Sequence, residues 1–161
     1  MEIKHYTNFL AIRHFEELEE IEKQSRLCKK WILKDFLTNF NLRNIFSRVI
    51  MNDNRIIGYM IVSVYIDTVH IHRLAIHKDF FNERLDKTLF VILIDNVRSR
   101  GYRIITTEIE EPYLYVYERA GFRKLSSKRA IKEYLKGQER VSEYNEYTKP
   151  TTDKIIMELK K

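Results

Sequence analysis

Residues 68–109 read TVHIHRLAIHKDFFNERLDKTLFVILIDNVRSRGYRIITTEI, and this stretch decides the fold. Its opening segment, 68–77, is rich in β-branched side chains and closes on Leu74-Ala75-Ile76, the composition of a strand. A polar interruption follows. Segment 85–100 then carries a dense apolar pattern of helical length, stopped by Gly101. Segment 103–109 returns to strand composition. Strand, helix and strand in succession predict a right-handed crossover between two parallel strands.

Working outward toward the N-terminus, 55–66 is apolar on both faces, which places it centrally in a sheet. Gly58 inside it marks a bulge or a close backbone approach. Asn52-Asp53-Asn54 is a hairpin turn joining it to a strand over 45–51. Before that, 30–41 aligns Ile32, Phe36, Leu37 and Phe40 at helical spacing, and 13–27 aligns Phe15, Leu18, Ile21 and Ser25 with glutamates opposite. Residues 2–6 read as a short strand. Toward the C-terminus, Pro112 suits the first turn of a helix through Ala120, Gly121 closes it, Phe122 opens a strand, and 151–160 supplies the last strand. The order is strand, two helices, three strands, helix, strand, helix, two strands. That is an α+β (α/β mixed) fold, a central twisted mixed sheet flanked by helices.

The chain has 161 residues, 44% hydrophobic and 32% charged, a composition that fits one globular domain over 1–161. Four glycines and two prolines leave little room for linkers, and no internal repeat is visible. No apolar run approaches the roughly 20 residues of a membrane-spanning helix. The N-terminus lacks a basic-then-apolar leader, and the lone Cys28 can form no internal disulfide. A cytoplasmic protein with no membrane association is expected. The net charge of +6 favours anionic partners, yet the basic residues are dispersed, which argues against nucleic acid.

His70, His72 and His77 invite a metal reading, but no carboxylate or cysteine stands at a spacing that completes a site, so no metal is expected. Cys28 has no paired histidine pattern and reads as a buried or neutral thiol.

Several segments resemble the Gcn5-related N-acetyltransferase (GNAT) superfamily, most closely its RimI-type ribosomal-protein alanine N-acetyltransferases. Glu19-Glu20-Ile21-Glu22, Trp31 and Asp35-Phe36-Leu37 resemble their opening helices. Arg73-Leu74-Ala75-Ile76-His77 is similar to the strand that holds the pantetheine arm. Tyr117-Glu118-Arg119-Ala120-Gly121-Phe122 is close to the family's "YE-x-x-GF". Pro150-Thr151-Thr152-Asp153 and the following Ile155-Ile156-Met157-Glu158-Leu159 resemble the C-terminal strand.

The resemblance implies acetyl-CoA as co-substrate, bound where two parallel strands splay. Leu74, Ala75 and Ile76 would pair with the pantetheine amides. The pyrophosphate would meet the segment Asn82, Glu83, Arg84, Leu85, Asp86 and Lys87 at a helix N-terminus, where free N–H groups favour an anion. The family's loop there carries two glycines; 81–86 carries none, and Arg84 could offer its charge instead. The resemblance also implies Glu108 as base and Tyr117 as acid, though their interval is shorter than the family's and the usual Asn after the catalytic strand is absent. His72 is an alternative base. Trp31 and Phe36 either shape the acceptor site or, by default, pack in the core.

The implied activity is acetyl transfer to a primary amine by direct attack in a ternary complex, the acceptor being a protein N-terminus, possibly on a ribosomal protein. A segment over 134–149, bearing Tyr144 and Tyr147, would cover the acceptor cleft. Two alternatives stand beside it: a small-molecule amine acceptor, and a GNAT-like binding module that has lost catalysis.

Overall fold

The computed structural model describes residues 1–27, 29–37, 45–64, 68–127, 129–130, 132–134 and 155–160. Asp53 and Asn54 take left-handed backbone, φ 50° and 60°, as a two-residue hairpin turn between strands of matching twist requires. That turn joins β2 (Arg48–Asn52) to β3 (Arg55–Val64). With β1 (Glu2–His5), β4 (Thr68–Ile76), β5 (Ile104–Ile109), β6 (Arg123–Lys124) and β7 (Ile155–Lys160) they form a seven-stranded sheet in the order β1-β2-β3-β4-β5-β7-β6. Among the described residues only β4 and β5 run parallel, and every other pairing is antiparallel. This is the mixed sheet the sequence implied.

Helices cover both faces. Helix α4 (Leu85–Ser99) connects β4 to β5 and buries Leu85, Leu89, Phe90, Leu93 and Val97 against Val69, Ile71 and Ile105. On the other face, α1 (Asn8–Arg13), α2 (Phe15–Gln24) and α3 (Leu33–Phe36) cover a second cluster built on Leu18, Ile21, Tyr59 and Ile61. Strand β3 feeds both clusters, which is why its sequence is apolar throughout. Among the described residues no helix is long and apolar enough to cross a membrane.

Several expected boundaries move. The helix expected over 13–27 runs only from Phe15 to Gln24, and His14 separates it from a helix the sequence reading did not place, Asn8–Arg13, capped by Thr7 Oγ1 accepting from Leu10 N. The helix expected over 30–41 is helical only from Leu33 to Phe36, and 38–44 lie outside the described residues. The segment after Pro112 begins as a 3-10 turn, Glu111–Tyr113, before α5 (Leu114–Arg119). The strand opened by Phe122 shrinks to Arg123–Lys124. Cys28, residues 135–149 of the expected cleft cover, and 150–154 lie outside the described residues.

Gly58 does mark a close approach: a Cβ there would sit 2.7 Å from Ile76 Cδ1. The register of β3 on β4 also shifts, pairing Ile61 with Arg73 and Val62 with Ile71, so His72 is one residue too many. The bulge resets which side chains face which layer. Val69 and Ile71 face α4 before it, Leu74 faces α4 after it, and Ala75 joins the opposite cluster.

Candidate active site

The parallel pairing of β4 with β5 runs from Thr68↔Ile104 to Ile71↔Thr107 and ends there, immediately before the bulge. Beyond it, residues 73–76 stay with β3, from Arg73↔Ile61 to Ile76↔Gly58. Strand β5 instead follows β7 through Glu108↔Ile156 and Ile109↔Ile155. The two parallel strands therefore part, and the backbone edge of 74–76 faces a gap. Backbone N–H and C=O groups without a sheet partner seek one elsewhere.

A cavity of about 350 Å³ fills that gap. Leu74, Ala75 and Ile76 form one wall, and Tyr113 and Val116 form the other. Gln24, Ser25 and Arg26, at the end of α2, roof it. At its far end stand Arg84, Leu85 and Asp86, where α4 begins. Of the donor-binding residues named from sequence, Asn82, Glu83 and Lys87 are exposed and do not line the cavity; the other six do.

Arg84 answers the question of the missing glycines. It sits at the N-cap of α4 with φ 54°, the left-handed conformation that glycine would adopt freely. For a residue with a Cβ this costs about 1–2 kcal/mol. The loop therefore keeps a glycine-like backbone path while projecting a guanidinium, whose Nε lies 3.6 Å from Asp86 Oδ1. Arg26 and Arg119 add two more cations to the lining. No sequence spacing could have found them, because they come from the ends of α2 and α5.

A second, smaller cavity of about 30 Å³ shares Leu74 and Tyr113 with the first, so the two adjoin across the splay. Glu108 and Tyr117 both line it, together with His72, Arg73 and Thr107. Tyr117 is buried, its ring 5.3 Å from both Phe90 and Phe122. Burial pushes its hydroxyl well above the usual phenol range, against a hydrogen bond with Thr107 and the charge of Arg73. It stays protonated and presents a donor. Glu108 Oε2 accepts from the Tyr134 hydroxyl at 2.7 Å.

His72 Nε2 lies 2.7 Å from Ser63 Oγ, and His70 Nδ1 lies 2.8 Å from Thr106 Oγ1. Enclosure holds His72 well below its ordinary value, and His70 adds to that. His72 is therefore a neutral imidazole at physiological pH. His77 stands apart, capping the 3-10 segment Lys78–Glu83 by accepting from Asp79 N at 3.1 Å.

Sequence reasoning missed the buried cluster beside this cavity. Glu22, 1% exposed, accepts from Trp31 N at 2.7 Å and from the Tyr59 hydroxyl. Arg73, 7% exposed, grips both oxygens of Glu22 through Nε and Nη2, and Nη2 also donates to Lys29 O at 2.7 Å. The guanidinium lies 5.1 Å from the Trp31 ring centroid. Trp31 and Phe36 are core residues, stacked edge to face at 5.1 Å. The sequence signal was a charged residue, Arg73, inside an apolar strand, which asks for a buried counter-charge.

A larger cavity and a small polar cavity thus adjoin where β4 and β5 part. Residues 18–138 match the family model described as Acetyltransferase (GNAT) domain, and the chain belongs to that family of N-acetyltransferases, which use acetyl-CoA. No curated protein matches the chain in sequence. Among solved structures it resembles the ribosomal-protein-S18-alanine N-acetyltransferase from Escherichia coli, with a TM-score of 0.69 and 21% identity over 99% of this chain and 92% of that one. It also resembles Ard1 from Thermoplasma volcanium, with a TM-score of 0.72 and 13% identity over 99% and 96%. The PaiA N-acetyltransferase from Thermoplasma acidophilum in complex with coenzyme A gives a TM-score of 0.69 and 11% identity over 99% and 98%. At these identities the likeness establishes the fold.

Proposed function

We propose that this chain, acting as a single cytoplasmic domain, transfers acetyl from acetyl-CoA to a primary amine, and that the acceptor is a protein N-terminus. The observation that carries the reading is that Glu108 and Tyr117 border one small cavity that adjoins the larger one at the strand splay.

The larger cavity fits the donor. The unpaired edge of Leu74, Ala75 and Ile76 supplies backbone groups for a pantetheine arm, and Arg84, Arg26 and Arg119 supply charge for its phosphates. The N-terminal N–H groups of α4 add to that. The donor, when bound, supplies an acetyl thioester. Glu108, or His72 in its neutral form, accepts the proton that the ammonium must lose before nitrogen can attack. As the N–C bond forms, the C–S bond would break with its electron pair on sulfur, the Tyr117 hydroxyl would deliver a proton there, and the second proton lost by nitrogen would restore that hydroxyl. Glu108 and Glu110 give the acceptor side an anionic wall, which draws in an ammonium. A protein acceptor is further supported by the name of the E. coli neighbour, which modifies a ribosomal protein.

The test is acetyl-CoA binding by calorimetry, followed by transfer to peptides with free or blocked N-termini and to small amines. Micromolar donor binding and acetylation of free N-termini alone is the expected result. Acetylation of small amines but no peptide would replace the acceptor assignment. Absence of donor binding near millimolar concentration would sink the whole reading.

A further inference from the structure

Arg73 has no part in the proton transfers above, yet it borders the small cavity together with Thr107 and Tyr117. Its Nε and Nη2 are taken by Glu22 and Lys29 O; Nη1 has no hydrogen-bond partner among the described residues. Nη1 is therefore the donor left for the cavity side. Of the groups lining that cavity, Glu108 and Glu110 disfavour an anion, and Arg73 is the one permanent cation among the described residues.

Packing alone gives no reason for the charge. A buried ion pair is commonly replaced by apolar side chains without loss of stability, because desolvation cancels much of the attraction. The pair is also oriented. Glu22 lies beneath, against Tyr59 and Trp31, while the charge of Arg73 reaches the Tyr113 and Tyr117 hydroxyls and favours their anionic forms. The positive end thus lies on the side of Tyr117, the hydroxyl that the proposed function assigns to the donor sulfur.

Resting on the acetyltransferase reading, we infer that Arg73 is a further catalytic residue, its guanidinium stabilising the negative charge that develops on the donor sulfur as the C–S bond breaks. Glu22 is its positioning residue, fixing the guanidinium plane through two hydrogen bonds. Arg73 neither gains nor loses a proton in the step. It lowers the cost of the charge until Tyr117 neutralises it.

The test reads the thiol of CoA itself, titrated in complex with the protein by thiolate ultraviolet absorbance, so that it does not depend on turnover. Wild-type protein is expected to raise the thiolate fraction about tenfold over free CoA, one pKa unit. Arg73→Met should return the thiol to its free value, and Arg73→Lys, which keeps the charge, should retain most of the shift. If Arg73→Met fails to fold, the double variant Glu22→Gln with Arg73→Met keeps an acceptor for Trp31 N, offers an amide N–H to the Tyr59 hydroxyl oxygen, and carries the same expectation. A thiol that titrates identically in wild type and in the folded Arg73→Met or double variant overturns the inference while leaving the acetyltransferase reading intact. A wild-type chain that binds no CoA overturns both.

Discussion

The two halves of β4 are one strand with two occupations. From Thr68 to Ile71 it is paired on both sides, with β3 and β5, and its backbone groups are consumed by the sheet. Past the bulge at His72, residues 73–76 are paired, among the described residues, with β3 alone and turn their other edge to a cavity. Composition barely differs between the halves. A sheet opens a cavity where it stops pairing, and here the parting falls at one extra residue.

The comparison breaks most sharply if a side chain facing the open half proves dispensable. Tyr117→Phe should lower turnover by about 10²–10⁴-fold, the usual weight of a positioned acid, with little change in donor affinity measured by calorimetry. Equal turnover would remove its assigned role. The closed half should show the opposite pattern. Ile71→Ala, at a fully buried core position, should cost about 2–5 kcal/mol in denaturant unfolding while leaving kcat/KM of the folded fraction unchanged.

At the far end of the open half, Arg84→Ala should weaken donor binding about tenfold, equivalent to about 1.4 kcal/mol. Arg84→Gly sharpens the point: it should lose the same affinity yet raise Tm, because it relieves a left-handed backbone. Gly58→Ala pushes on Ile76 from behind, and should cost about 1 kcal/mol of stability and weaken donor binding, since Ile76 lines the cavity.

The smallest effect lies at the bulge. The folded state holds His72 well below 6.5, so as pH falls through 6.5 the unfolded chain takes up a proton that the folded chain refuses. Stability should therefore be complete above that pH and decline below it. A Tm-against-pH series should show that slope in wild type and a shallower one in His72→Gln.

Much of this was legible beforehand. The apolar run of 85–100, the stop at Gly101 and the turn at Asp53 and Asn54 are local instructions, written in residues a few positions apart. Glu108 and Tyr117 could be named by resemblance, and the structure places both on one cavity. Arg26, Arg119 and the Glu22–Arg73 pair could not be read. Glu22 and Arg73 stand 51 residues apart, so a charge inside an apolar strand asked for a partner without saying which one.

By itself the sequence determined the elements and their order, because periodicity and turn chemistry act between near neighbours. It also determined the family, through short motifs that keep the family's order over most of the chain. Only the tertiary structure decided where β4 leaves β5, which way Arg73 turns after the bulge, and which three arginines line the larger cavity. Those outcomes depend on pairing register and on layers closing over one another, and a single residue at His72 sets the face of everything beyond it.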